Sequence, residues 1–195
     1  MEIVFTALTL LLVMDPLGNI PAFLAVLKDV PPERQRPVLV REILLAFVVL
    51  LVFLFLGGYI LHFFGLRPEA ISIAGGLILF LIAIRMVFPP EGPILGETPE
   101  GEPFLVPLAI PLIAGPSVMA SILLLKQSGR VSLLGLLGAV TLAWAVSAAI
   151  LYSAPFLYRV LKLRGLIALE KLMGMLLVIL SVQMFLDGLS MALER

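Results

Sequence analysis

Cysteine is absent from this chain, which excludes disulfides, thiolate metal centres and cysteine nucleophiles. Histidine occurs once, at His62, so neither a histidine metal site nor a histidine relay has partners to draw on. Net charge is missing as well: 13 basic residues balance 13 acidic ones, and no basic tract lies outside short connections. A nucleic-acid partner is not expected from that balance. No phosphate-cradling glycine loop occurs, so nucleotide-driven work would need another subunit, and no cofactor or metal is expected. Asparagine is scarce too, with Asn19 the single example. Charged residues of all kinds make up only 13% of the chain, against 62% hydrophobic. A soluble domain of 195 residues cannot hide that much apolar surface, so the expected solvent is lipid.

A helix needs about 20 apolar residues to cross roughly 30 Å of hydrocarbon. Six segments qualify, at about 3–28, 42–64, 69–88, 104–126, 131–158 and 166–189. The first begins with Glu2 rather than a basic region, lacks a small-x-small cleavage signal and is followed at once by more apolar segments, so it reads as retained. Most connections are short. The exception, "PPEGPILGETPEGEP" at 89–103, holds five prolines, three glycines and four acids and reads as a linker. The expected organisation is a first three-span block at 1–88 and a second at 104–195.

The blocks resemble each other. Pro16 and Pro21 in the first have the same spacing as Pro111 and Pro116 in the second, an offset of 95 residues. "GLILFLIAIRMVF" (76–88) aligns with "GMLLVILSVQMFL" (174–186) at an offset of 98, setting Gly76 on Gly174 and Arg85 on Gln183. A copy with an odd number of crossings enters the membrane from the opposite side. The expected fold is therefore an all-α polytopic membrane protein of six helices, arranged as two inverted three-helix repeats. Lys28, Arg34, Arg36, Arg41, Arg159, Lys162, Arg164 and Lys171 fall on one side. Arg67, Lys126, Arg130 and Arg195 fall on the other. The basic excess marks the cytoplasmic side, which puts both termini outside.

The repeated prolines sit where a membrane helix should be smooth. "MDPLGNIPAF" and "IPLIAGPSVM" each combine two prolines with a glycine. A proline inside a helix costs about 3 kcal/mol, and lipid offers freed carbonyls no water. The first and fourth helices are thus expected to be discontinuous, each restarting near Pro21 or Pro116, roughly at mid-bilayer. Exposed amides at a restart can hold an anion, and unwound carbonyls an ammonium, so the expected partner is a small zwitterion. The candidate binding residues are Asp15, Pro16, Gly18, Asn19, Ile20, Pro21, Pro111, Ala114, Gly115, Pro116 and Ser117. Asp15 either serves coupling or the substrate ammonium, or caps the helix beyond Pro16. Asn19 either reads a substrate or closes local backbone, and Ser117 either caps or touches ligand. Arg85 and Gln183 are candidate coupling or gating groups, with interfacial snorkelling the competing account of Arg85. Glu170, Lys171 and Asp187 read as interfacial, and Asp15 as the one clearly deep carboxylate.

"MDPLGNIPAFLAVL" and "PLAIPLIAGPSVMASILLL" resemble the two signature segments of the MarC family of integral membrane proteins, and 70–88 and 169–188 are similar to its third and sixth spans. The resemblance covers essentially the whole chain. It implies a six-span inverted repeat in the cell (inner or plasma) membrane. From the SnatA-type members it also implies transport of glycine and other small neutral amino acids, driven by a cation gradient. Many members carry Asn where this chain has Asp15.

A secondary transporter is the leading function on these grounds, with a channel or a non-transporting assembly subunit as the alternative. An intramembrane enzyme is not expected, since no base accompanies Asp15. The small-residue face of the fifth span, which includes Gly135, Gly138, Ala139, Ala143 and Ser147, suits close packing within one chain or between copies, so a homo-oligomer stays open.

Overall fold

A computed structural model describes residues 2–27, 30–89, 104 and 108–193. The interblock linker beyond Pro89 lies outside the described residues, as do Lys28 and Arg195. Every extended element among the described residues is helical. The order is α1 (Glu2–Met14), α2 (Ile20–Leu27), α3 (Pro32–Phe63), α4 (Pro68–Val87), a wide turn at Leu108–Ile113, α5 (Pro116–Gln127), α6 (Leu133–Tyr152) and α7 (Ala154–Leu193). Four stretches are long and apolar enough to cross a membrane: Pro32–Phe63, Glu69–Val87, Leu133–Tyr152 and Arg164–Leu193. With the shorter apolar helices α1, α2 and α5, this is the build of a polytopic membrane protein. Large side chains such as Phe5, Val48, Leu134 and Ile179 stay exposed, as a lipid-facing surface requires.

Two boundaries differ from the sequence reading. α3 starts at Pro32, ten residues before the expected 42, and runs through Pro37 without interruption. Pro32 occupies the first helical turn, where a missing N–H costs nothing, and Glu33 favours the positive helix end. Pro37 is exposed, so the carbonyl it frees need not be buried. The last apolar run is one long helix broken at Lys162, whose φ of 54° and ψ of 178° divide a short segment after Ala154 from the span beginning at Arg164.

The apolar interior is split in two. The larger cluster joins α1, α2, α3, α5 and α6, including Leu10, Phe23, Leu50, Ile122 and Leu136. The smaller one joins α4 to α7 through Leu79, Ala83, Met86, Met173, Leu177 and Met184, with Ala120 of α5. Glycine decides how closely α4 and α7 approach. A Cβ on Gly76 would lie 2.8 Å from the Ser181 carbonyl oxygen and 2.9 Å from the Phe185 nitrogen. A Cβ on Gly174 would lie 3.1 Å from the Ala83 carbonyl oxygen and 3.0 Å from Val87 Cγ2. Higher residue numbers on one helix meet lower ones on the other, so the two run antiparallel. Ser72 Oγ adds a 2.7 Å bond to the Met184 carbonyl. By contrast α1 and α6 run in the same direction: Gly135 faces Ile3, and Ser147 Oγ donates to Met14 Sδ at 3.5 Å. Trp144 of α6 stacks on Phe47 and donates to the Ile43 carbonyl at 2.9 Å, tying α6 to α3.

Candidate functional site

Both expected interruptions are present. α1 ends at Met14, and Pro16 denies Asp15 the right-handed helical conformation. Asp15 takes φ 43°, a left-handed value that aspartate tolerates better than most residues. The chain turns through Pro16–Asn19 and restarts as α2. The second break follows the same logic. Ile110, before Pro111, is extended at φ −125° and ψ 129°. The Ala114 amide then reaches back to the Ala109 carbonyl at 2.9 Å, a turn wider than an α-turn. Gly115, before Pro116, is extended again at φ −77° and ψ 161° and opens α5.

Each break orphans carbonyls, and at each one of them finds the same new donor. The Met14 carbonyl would accept from the Gly18 amide in a continuous helix, but that amide donates to Asp15 Oδ1 at 3.1 Å. The Leu112 carbonyl would accept from residue 116, which is proline and has no N–H. Asn19 serves both: its Nδ2 donates to the Met14 carbonyl at 2.9 Å and to the Leu112 carbonyl at 2.8 Å. The single asparagine of the chain therefore joins the two breaks across 93 residues of sequence. Its Nδ2 closes backbone at both breaks, and Asn19 also lines the cavity beside them.

The two breaks face a common cavity of about 230 Å³. It lies where the two apolar clusters meet, with Met14 and Val118 from one and Leu79, Met86 and Leu177 from the other. Asp15 and Glu170 bring carboxyl groups to it, and that of Asp15 is the more buried. The carboxyl group is 3% exposed and serves two purposes: Oδ1 holds the Gly18 amide, while Oδ2 is buried with no hydrogen-bond partner. One oxygen thus holds the local turn while the other is left unpaired. Gly18 is glycine because a Cβ there would strike Asp15 Oδ2 and the Met86 methyl. From the other side come Gly115, Ser117 and Val118. The first-turn amides of Ser117 and Val118 have no place in the α5 ladder, and the helix dipole adds positive potential there. At the first break, by contrast, the Gly18 and Asn19 amides are already held by Asp15 Oδ1 and the Asp15 carbonyl.

Of the residues singled out from sequence, Asp15, Gly18, Asn19, Gly115, Ser117 and Arg85 line the cavity. Pro16, Ile20, Pro21, Ala114 and Pro116 shape the breaks without lining it. Pro111 does so through its backbone, and its side chain is outside the described residues. Gln183 is elsewhere: it is exposed on α7, where Nε2 donates to Asp187 Oδ1 at 2.7 Å. Glu170 was read as interfacial and lines the cavity instead. Helical spacing carries that signal, because Glu170, Gly174 and Leu177 form one stripe facing α4. Nor is Asp15 the only deeply buried acid. Glu42 of α3 is fully buried beside the Arg41 guanidinium, with a nitrogen–oxygen distance of 3.1 Å.

The MarC family model, described as MarC family integral membrane protein, matches residues 1–193. The chain belongs to that family. It is 49% identical to the UPF0056 inner membrane protein YhgN of Escherichia coli (strain K12) over 97% of both chains. A UPF0056 membrane protein of Buchnera aphidicola subsp. Baizongia pistaciae is 45% identical over 96% of both. A third relative, a UPF0056 membrane protein of Chlamydia pneumoniae, is 35% identical over 91% of this chain and 89% of its own. No solved structure matches.

Proposed function

We propose that this protein is a secondary transporter of small neutral amino acids such as glycine or alanine, coupled to a proton or other cation gradient. The observation that carries the reading is the two-signed cavity between the breaks. A zwitterion's ammonium group answers the buried Asp15 Oδ2, and its carboxylate answers the Ser117 and Val118 amides of α5. The cavity of about 230 Å³ falls below the roughly 300–1,000 Å³ of drug-sized pockets, which favours a small ligand. The wall formed by Leu79, Met86 and Leu177 is apolar and favours a short apolar side chain over a polar one.

Alternating access follows from an inverted repeat of six spans, with 1–88 and 104–195 as the halves and both termini outside. Its support is the reciprocity of the α4–α7 seam. The offset of 98 residues that sets Gly76 on Gly174 also sets Ala83 on Ser181 and Val87 on Phe185. Gly76 meets Ser181 and Phe185, while Gly174 meets Ala83 and Val87. Such exchange of partners is what a twofold axis produces. The parallel α1–α6 and antiparallel α4–α7 pairs fit spans one and five running one way, and three and six in opposite ways. In the proposed cycle the α4–α7 pair moves against the larger cluster, opening the cavity to either side. The bacterial inner membrane, named for the Escherichia coli relative, is the proposed location.

The test is counterflow in proteoliposomes. Vesicles loaded with unlabelled glycine should draw in labelled glycine and alanine, with leucine and lysine competing poorly. A channel would equilibrate label without exchange. Absence of both exchange and mutual competition among small neutral amino acids would overturn the assignment.

A further inference from the structure

The cavity holds more charge than a zwitterion can balance. Among the described residues its lining contains three ionisable side chains: Asp15 at the first break, Arg85 on α4 and Glu170 on α7. Lys171, the neighbour of Glu170, attracts that carboxylate but is exposed and not part of the lining. The other helices contribute no ionisable residue to it. Two carboxylates therefore stand against one guanidinium. Among the described residues neither carboxylate forms an ion pair, and Asp15 Oδ2 is buried without any partner. Both acids face the same cavity. They also belong to different parts of the molecule. Asp15 sits on the segment packed with α6, and Glu170 on the α4–α7 unit.

Closing the cavity over a ligand removes these groups from water. An uncompensated charge in such a place costs several kcal/mol. A neutral amino acid brings one positive and one negative group and leaves the balance unchanged. We propose that Glu170 binds one monovalent cation, a proton or an alkali ion, beside Asp15, and that one such cation binds with each neutral amino acid. This rests on the transport reading above and adds to it the residue and the stoichiometry. The cation bridges two like-charged walls that otherwise push apart, so cation and substrate favour the same closed cavity. By linkage each then raises the other's affinity by the same factor.

Equilibrium binding of labelled glycine to the purified full chain tests this without a gradient. Binding is measured against sodium at fixed pH, and against pH in a sodium-free choline buffer. In one of the two series, below saturation, a tenfold fall in cation should weaken glycine binding about tenfold, a slope of one per site. The series that shows it names the cation. Glu170→Gln removes the surplus charge and should bind glycine with a slope near zero in both. If this variant binds no glycine, Glu170→Asp decides: glycine binding with a slope of one supports the assignment, and its absence overturns it. Wild-type protein that binds glycine with zero slope in both series, or E170Q with the wild-type slope, overturns the cation site and leaves the transport reading standing. Wild-type protein that binds no glycine at any sodium concentration or pH overturns both.

Discussion

Replacing Asn19 by alanine is the sharpest test of how the two breaks are held. The substitution removes two hydrogen bonds, at 2.9 and 2.8 Å, and orphans the carbonyls of Met14 and Leu112 together. Hydrogen bonds between membrane helices average only about 0.6 kcal/mol, so the bonds alone are worth roughly 1 kcal/mol. The larger effect is what they leave behind. A buried acceptor without a partner costs about 1–3 kcal/mol, and no backbone N–H can replace the asparagine: residue 116 is proline, and the Gly18 amide is committed to Asp15. Met14 is 2% exposed, so its carbonyl should bear most of that cost, while water in the cavity can relieve Leu112. The expected total is about 2–4 kcal/mol, or a fall in Tm of roughly 5–15 °C for a chain of this size. Asn19→Asp should be worse than alanine, since it turns two donors into acceptors facing carbonyls and adds charge beside Asp15. Thermal unfolding in detergent, followed by helical circular dichroism, reads all three proteins. An Asn19→Ala variant as stable as wild type, or an Asn19→Asp variant more stable than Asn19→Ala, would refute the claim that this amide joins the breaks.

Asp15→Asn should move stability and binding in opposite directions. Relieving a buried, unpartnered anion raises Tm, while losing the charge-assisted contact worth about 1.5–3 kcal/mol weakens glycine binding roughly 10- to 100-fold. Stability and affinity falling together would point to a purely structural carboxylate. Gly76→Ala forces a Cβ against backbone atoms of α7 and should cost about 1–3 kcal/mol, whereas Gly58→Ala, with nothing within 4 Å, should gain about 0.5–1 kcal/mol. Urea or thermal denaturation of the two variants side by side checks the sign. Met86→Ala empties the wall over Gly18, so valine should compete with glycine about tenfold better or more in counterflow, a methylene's worth of pocket being about 1–3 kcal/mol.

Much of the architecture was legible because lipid simplifies the code. Long uncharged runs name the helices, and proline pairs name the breaks: Ile110 and Gly115 are extended for the reason a residue before proline must be. The site was legible only in part. Asp15 and Asn19 stand out as polar groups where lipid forbids them, but the partners of Asn19 depend on where the second break lies in space. Sequence supplies the orphaned Leu112 carbonyl, through Pro116, without saying which donor reaches it. Glu170 was hidden differently. It is four residues from the end of an apolar run and near four basic groups, so it looks interfacial until the packing of α7 against α4 is known. Proximity to charge in sequence masked the face it occupies. The start of α3 lies ahead of the expected span because an apolar run marks only the part in lipid. The helix itself begins in the charged stretch before it, with Pro32 in the first turn.

The proline frame repeats, and the chemistry within it does not. An offset of 95 residues carries Pro16 and Pro21 onto Pro111 and Pro116, but it carries Asp15 onto Ile110, Gly18 onto Ile113 and Asn19 onto Ala114. The same offset sets Ala22 on Ser117, and both of these line the cavity. The halves thus share the backbone device and differ in the groups that make it polar. A ligand with two identical ends would have been served by two identical breaks. On the proposed reading the ligand has one cationic and one anionic end, and the divergence supplies each. The first break carries the carboxylate and spends its Gly18 and Asn19 amides internally; the second has no acid and leaves the Ser117 and Val118 amides open. Restoring symmetry is therefore destructive in a predictable way. Ile110→Asp together with Ser117→Ala would place a second acid at the second break and remove its hydroxyl. Glycine binding should fall more than in Asp15→Asn, because the added carboxylate opposes the substrate's own at the anion-holding end while the ammonium partner remains. If the double variant instead bound glycine as wild type does, the unlike character of the two breaks would have no bearing on the ligand.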